Sequence, residues 1–391
     1  MTNPPQGKHA APATVKSSRG QFYPSLEFIV TTRKLRAAYK RASKGKRGRY
    51  GCFKFGEQLG LNLERLKSSI LDGSYHPAPC HSFEIFCTAG QKTRLITAPT
   101  FSDGVVQHLF YAAVYPAFDR GFIFDSYGCR KGKGTHKAAD RVQEFMRKSD
   151  DDSYYLQIDV RKYYYSIAHE ILRESLERRI DDTRIVDYMM MFCGDGPVGL
   201  NVGCLLSQLF GMIYLDRFDH YCKRILKVKR YVRYVDDIVM IGLSREEAYQ
   251  IKNLCQTYLR DHLKLELSKW RIAKIKTGIN FCGFRTWKER RFVRKRSLHT
   301  FTRRLRQRNF VSVASIMAHA IHTTTYGHML RILKESVSKA DLRYLNARLS
   351  KALGFSKKQY KKARQKDTRP LKGIKRSKIT VDMVRKLRKP S

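Results

Sequence analysis

Two adjacent acids, Asp236 and Asp237, close the run Tyr234-Val235-Asp236-Asp237, with Val232 before it and Ile238-Val239-Met240-Ile241 after it. Carboxylates in so apolar a stretch are costly unless something neutralises them, and a divalent cation does that. Successive strand side chains face opposite ways, so neighbouring acids reach one metal pair only at a turn. The pattern predicts strands over 232–234 and 238–241 with the acids at the hairpin tip. A solvated Asp-Asp turn is the plain alternative. A third acid, Asp159, ends the apolar run Tyr155-Leu156-Gln157-Ile158, and Lys162, Tyr163, Tyr164 and Tyr165 follow it. Here the plain alternatives are a strand-end helix cap for the acid and a core or stacking face for the tyrosines. Three carboxylates brought together suit phosphoryl transfer by two metal ions, one activating the attacking hydroxyl and the other holding the triphosphate and its leaving group.

The partner implied by charge is a polyanion. Among 391 residues, 78 are Lys or Arg and 34 are Asp or Glu, a formal net charge of +44 spread along the whole chain. Nucleic acid and anionic membrane both answer such a field. No apolar run reaches the roughly 18 residues of a membrane span, and residues 1–20 lack the apolar centre of a secretory signal. Nucleic acid and a cytoplasmic location are therefore expected, with no membrane partner. On charge alone, a basic ribosomal or packaging protein remains open. The nine cysteines form no CxxC pair, so a zinc knuckle is not expected, and Cys80-His81 with Cys87 is the nearest approach to a ligand cluster.

The elements that must hold these residues follow from periodicity. Helices are predicted over 26–46, 55–72 and 103–115, with strands at 83–86 and 93–96 joined by the 89–91 turn. A strand over 154–159 precedes helices at 168–178 and 182–192, a Gly-rich loop at 194–203 and a buried helix at 205–226. After the acid hairpin come a helix over 246–263 and strands at 265–267 and 280–287. Beyond 286 the chain is predicted to be basic and helical.

These motifs, in this order, resemble the reverse transcriptases. Asp159 with Lys-Tyr-Tyr-Tyr-Ser-Ile behind it resembles their motif A, and Tyr234-Val235-Asp236-Asp237 their motif C. Between them, Gly199-Leu200-Asn201-Val202-Gly203-Cys204-Leu205-Leu206-Ser207-Gln208 resembles motif B. Gly278-Ile279-Asn280-Phe281-Cys282-Gly283-Phe284 is similar to the primer-grip turn, and Ser126-Tyr127-Gly128-Cys129-Arg130 to a fingers–palm segment. The ending Ser207-Gln208 points to the group II-intron-related bacterial branch, closest to the enzymes of diversity-generating retroelements. Motif B departs from theirs at Asn201, Val202, Cys204 and Leu206.

The resemblance implies an α+β right-hand polymerase with fingers, a palm on a ferredoxin-like sheet, and a helical thumb. The implied segments are a flexible basic arm (1–25), fingers with the start of the palm (26–153), the palm (154–287), the thumb (288–350) and a basic C-terminal extension (351–391). It implies two magnesium ions on Asp159, Asp236 and Asp237 with the Val160 carbonyl. Tyr164 would be the gate that selects deoxynucleotides, Arg94 the grip on the triphosphate, and Val202, Gly203 and Gln208 the lining of the nascent base pair. Lys269 would protonate pyrophosphate. Arg303, Arg304, Arg306 and Arg308 would meet backbone phosphates. The implied partners are a template or noncoding RNA, the cDNA product, deoxynucleoside triphosphates and a small helical accessory protein. An antiphage defence enzyme with a noncoding RNA and a non-catalytic RNA-binding scaffold are the competing functions.

Overall fold

The computed structural model describes residues 25–87, 92–338 and 341–345. The predicted basic arm, the 89–91 turn and the basic C-terminal extension therefore lie outside the described residues. The helices and strands are, in chain order, α1 (Leu26–Ile29), α2 (Thr32–Ala42), α3 (Tyr50–Glu57), α4 (Leu59–Leu71), β1 (His81–Cys87), β2 (Lys92–Ala98), α5 (Phe101–Gly121), α6 (Thr135–Arg147), β3 (Tyr154–Val160), α7 (His169–Glu177), α8 (Thr183–Met190), α9 (Leu205–Tyr214), α10 (Asp216–His220), β4 (Tyr231–Tyr234), β5 (Asp237–Leu243), α11 (Arg245–Leu263), β6 (Leu267–Lys274), β7 (Ile279–Phe281), β8 (Phe284–Thr286), β9 (Arg291–Val293), α12 (Lys295–Arg306), α13 (Phe310–Ala320) and α14 (Thr325–Ser336). They form two compact units. Among the described residues, one takes 25–134 with 156–272, the other 135–155 with 273–345.

In the first unit a four-stranded sheet runs in the order β4-β5-β3-β6. The chain order is strand, helices, two strands, helix, strand, with the first strand placed inside the sheet, which is the ferredoxin-like split arrangement. Along β3, Leu156, Ile158 and Val160 are buried while Gln157 and Asp159 are half-buried. That alternation puts one face on the apolar core and leaves the other open to solvent. The core joins Leu156 and Ile158 to Leu206, Phe210 and Ile213 of α9, Met240 of β5 and Leu259 of α11. Helix α11 starts on a capping box, Ser244 Oγ accepting from Glu247 N while Glu247 Oε2 accepts from Ser244 N. β1 and β2 pair separately as a two-stranded ribbon, with Arg94 opposite Ile85.

The second unit packs α12, α13 and α14 around Phe301, Val313, Met317 and Leu333, with a three-stranded sheet β7-β8-β9 beside them. Arg291 ties this sheet to α6 through Asp140 (2.7 Å) and Gln143 (3.0 Å).

Several expectations need correcting at their edges. The helices over 26–46 and 55–72 each split, and the 205–226 helix breaks at Leu215 and ends in a π-turn over Tyr221–Ile225. The 265–267 strand lies instead at Leu267–Lys274. The 280–287 strand is a hairpin folded at Cys282-Gly283, because Cys282 (φ 51) and Gly283 (φ 85) both turn left-handed. A strand, β9, precedes the basic helices. Arg308, expected to face phosphate, pairs instead with Asp341 at 2.8 Å.

One ion pair in the first unit is sealed from water. Arg233 is 1 % exposed and Asp219 0 %. Arg233 Nε donates to Asp219 Oδ1 at 2.7 Å, Nη2 to Oδ2 at 2.6 Å, and the Tyr231 hydroxyl adds a third donor at 2.6 Å. Burial is the largest influence and works against the guanidinium charge, but the Asp219 charge and hydrogen bonds together with Tyr231 and Tyr163 outweigh it, so Arg233 is held above its ordinary pKa. Removing one partner leaves the other charged and unpaired in the core. Asp219→Ala is therefore expected to lower the unfolding free energy by about 3–5 kcal/mol. Denaturant unfolding of the variant against the parent measures this, and a loss below about 1 kcal/mol, the scale of an exposed pair, would show the pair to be dispensable.

Candidate active site

Every residue of the candidate site belongs to the first unit. Tyr234 pairs with Asp237 across the β4–β5 hairpin, so Val235 and Asp236 are the two-residue tip. Val235 takes φ 60, a left-handed conformation that is a true outlier for a β-branched residue. Its neighbours hold it there. Arg233 Nη1 donates to the Val235 carbonyl at 3.1 Å. The 125–128 segment lies along β4, with Arg233 N donating to Asp125 O and Tyr127 N to Arg233 O, each at 2.9 Å. Gly128 permits this approach, since a Cβ there would stand 2.7 Å from both Val235 N and Val235 Cγ2. Arg130 fastens the segment from behind, bonding Asp119 Oδ1 (2.7 Å) and Ile123 O (2.7 Å).

The acids share a face of the sheet. Gln157 and Asp159 lie two apart on β3 and so point the same way. Gln157 Nε2 donates to Asp237 Oδ1 at 2.8 Å, which brings Asp237 to that face. Burial first, and the Asp159 charge second, push the Asp236 carboxyl above its ordinary range. Arg94 and Arg233 pull it back down. Asp159 in turn accepts from Ser268 Oγ of β6, at 2.5 Å to Oδ2.

Of the other expected residues, Arg94 and Tyr164 lie within reach of the Asp236 charge. Arg94, exposed on β2, is close enough for its charge to act on Asp236. Tyr164 is half-buried in the 3-10 turn Tyr163–Tyr165, edge-on to Tyr163 at 5.5 Å. Burial chiefly, with Cys129 and Asp236 adding to it, raises the Tyr164 phenol. Its floor is Gly211, where a Cβ would lie 3.2 Å from the Tyr164 ring. The Tyr164 carbonyl accepts from Leu200 N at 2.7 Å, joining the tyrosine turn to the Gly-rich loop. In that loop Val202 O accepts from Thr97 N at 2.7 Å. Gly203 has φ 132, and a Cβ there would meet Thr97 O at 2.7 Å. Gln208 is exposed on α9. Lys269 is exposed on β6, next to Ser268, which is the residue of that strand seen bonding Asp159. Gly278–Phe284 falls in the second unit.

Sequence reasoning missed five supports: Gln157, Ser268, Asp219, Arg233 and Gln107. Gln107 is fully buried on α5, and its Oε1 accepts from Leu205 N (2.8 Å) and Leu206 N (3.3 Å), taking the place of a cap for α9. A Gln amid the apolar positions of α5 was a visible signal, and Arg233 amid an apolar strand was another.

The sheet order and the acid-tipped hairpin define the class, a polymerase. The chain belongs to the reverse transcriptase (RNA-dependent DNA polymerase) family, which it matches over residues 88–286, about half of its length. It is 25 % identical over 286 residues to protein YkfC of Escherichia coli K12, covering 61 % of this chain and 73 % of YkfC. It is 22 % identical over 285 residues to the group II intron-encoded protein LtrA of Lactococcus lactis, covering 54 % of this chain and 47 % of LtrA. The chain thus spans about half of LtrA. A solved telomerase from Candida albicans aligns at TM-score 0.46 and 10 % identity over 84 % of this chain and 71 % of its own.

Reverse transcriptases use divalent metal ions, and the donor chemistry here fits one. Asp236 is a carboxyl whose ionised form is disfavoured by burial and by a neighbouring carboxylate, a cost that a divalent cation removes. Among the described residues no three His, Cys, Asp or Glu side chains already form a metal-holding group. Gln157 and Ser268 each occupy one oxygen, Oδ1 of Asp237 and Oδ2 of Asp159. Among the described residues, no helix is long and apolar enough to cross a membrane.

The raised Asp236 carboxyl makes a stability prediction. With a folded pKa above the unfolded one, the native chain binds more protons, so stability falls as pH rises through that window. Asp236→Asn removes the charge and keeps the shape. Its melting temperature is expected to exceed the parent's at neutral pH, and the gain is expected to vanish in acid below the ordinary carboxyl range. A variant that melts lower at neutral pH would contradict this.

Proposed function

We propose that the chain is an RNA-directed DNA polymerase that makes cDNA from a dedicated RNA template, with two magnesium ions on Asp159, Asp236, Asp237 and the Val160 carbonyl. The observation that carries this is the common sheet face of Asp159 and Asp237, with Asp236 raised by burial first and by the Asp159 charge second. Once bound, the ions would acidify the primer hydroxyl and offset charge on the triphosphate and pyrophosphate. The hydroxyl oxygen bonds the α-phosphorus, the bond to the bridging oxygen breaks, and pyrophosphate leaves. Arg94 would hold the triphosphate by charge-assisted hydrogen bonds, and Val202, Gly203 and Gln208 would border the nascent pair. Lys269 would supply a proton to pyrophosphate. The Tyr164 ring, backed by Gly211 and Tyr163, would stand against a ribose 2′-hydroxyl. In this proposal the first unit supplies palm and fingers in a right-hand arrangement, and the basic helices α12–α14 act as a thumb.

Within that activity, the ending Ser207-Gln208 favours a diversity-generating retroelement, with a noncoding RNA and a small helical accessory protein as partners. Neighbouring genes test this directly. A variable repeat pair is expected, and a defence cluster would assign the chain to antiphage defence instead.

Two substitutions test the chemistry. Asp236→Ala with Asp237→Ala is expected to reduce deoxynucleotide incorporation by at least ~10³-fold, the scale of lost electrostatic stabilisation at a reacting centre, while RNA affinity persists. Incorporation surviving in the double variant would remove the mechanism, and a parent that binds RNA without incorporating would be a scaffold. Tyr164→Ala is expected to raise ribonucleotide use relative to deoxynucleotide by ~10–100-fold, read by primer extension with each triphosphate. An unchanged ratio would take the gate away from Tyr164.

A further inference from the structure

A second concentration of charge lies in the first unit and shares no residue with the acid site. A cavity of about 440 Å³ opens among the end of α7, α9, α10, the π-turn that follows, α5 and α11. Its wall carries four guanidinia, Arg178, Arg179, Arg217 and Arg224, together with the His220 imidazole, against the carboxylate of Asp216. Glu174 at the edge stands 2.9 Å from Arg178 Nη2 and 2.9 Å from Arg217 Nη2.

These internal acids satisfy the wall only in part. Arg217 Nη2 is held by Glu174 at 2.9 Å, while the buried Arg217 Nε has no acceptor. His220 Nε2 faces Gly121 O at 3.1 Å, and its buried Nδ1 has no partner. Asp216 stays 3.6 Å from both Arg179 Nη2 and His220 Nε2. A buried donor without a partner is costly, so the unmet Arg217 Nε calls for an acceptor from outside, while Asp216 Oδ1 in the same wall is an acceptor left equally without a partner.

The cavity is built for its cations. A Cβ at Gly121 would stand 2.0 Å from Arg179 Nη1, so glycine there admits the guanidinium. The π-turn Tyr221–Ile225 carries Arg224, which is exposed and lines the cavity, and Ile225 beside it is 68 % exposed. Such insertions are frequent at functional sites. Guanidinium forks match phosphate oxygens. The chain's charge of +44 selects a polyanion over a lone metabolite. Tyr258, on the cavity wall, stacks on Tyr221 at 4.1 Å and lies 4.6 Å from His262, an aromatic platform of the kind on which a base can rest.

We propose that this cavity seats a backbone phosphate of the RNA carried by the protein, as a docking point apart from the reacting centre. It shares only the RNA partner with the proposed polymerase activity, and a chain that bound RNA without copying it would use the cavity equally.

The test uses the full chain and a fluorescently labelled RNA hairpin, with affinity followed by anisotropy across a salt series. Arg217→Gln with Arg224→Gln is expected to flatten the slope of log affinity against log salt by about 1, the share of one phosphate contact. The control Arg245→Gln with Arg260→Gln, on exposed positions of α11, is expected to leave the slope nearly unchanged. Equal flattening in both pairs would overturn the proposal, because general charge would then explain it. An unchanged slope in the first pair would overturn it too, including the case where inorganic phosphate raises the parent's melting temperature and not the variant's, which would make the ligand a free ion. Should the double variant melt early, Arg224→Gln alone carries the same comparison from an exposed position. Incorporation by the parent chain is scored separately, so loss of the docking point and loss of the polymerase assignment are distinguishable.

Discussion

Arg233 and Asp219 are charges sealed under the tip of a hairpin, and Asp236 at that tip, with Asp237 first on β5, sits where this pair holds it. The pair is costly to bury and more costly to break. Its geometry makes it a positioning device: one nitrogen of Arg233 is spent on the carbonyl of Val235 and the rest on Asp219. Val235 has a left-handed backbone that its branched side chain disfavours. The carbonyl bond, the close passage of Gly128 and the hydrogen bonds from 125–127 over-determine that conformation, which is the condition under which such strain persists.

The same hairpin concentrates like charge on purpose. Asp236 is raised by burial and by Asp159, so the fold carries an unfavourable carboxylate that a more stable sequence would lack. Sites built for a cation have this character, since the charge that destabilises the empty fold is what binds the ion. Gln157 and Ser268 lend neutral donors to Asp237 and Asp159, which tempers the repulsion without cancelling the charge.

Glycines set the spacing between the parts. Gly203 lets the Gly-rich loop touch β2, the strand that bears Arg94. Gly211 leaves room under Tyr164, and Gly121 leaves room for Arg179. In each case a missing Cβ converts a sequence feature into a contact between elements far apart in the chain.

The acids, the family and most of the elements were legible from the sequence, because strand alternation, apolar runs and short ordered motifs are local. The 232–234 and 238–241 strands, the 154–159 strand and the 246–263 helix all stand within a few residues of the expected bounds. The breaks were not legible. Leu215 interrupts an apolar run with neither Pro nor Gly at the break, and the hairpin at Cys282-Gly283 reads as one strand, because hydrophobicity reports burial and not direction. Nor were the supports. Gln157 is one polar residue in a strand until Asp237 arrives from 80 positions away, and Arg233 is a misplaced charge until Asp219 meets it. Sequence determines which side chains can hold a metal or a phosphate. Only tertiary structure decides which distant partners neutralise them, because a buried charge is priced by its neighbours in space, and those are set by how the sheet and helices close.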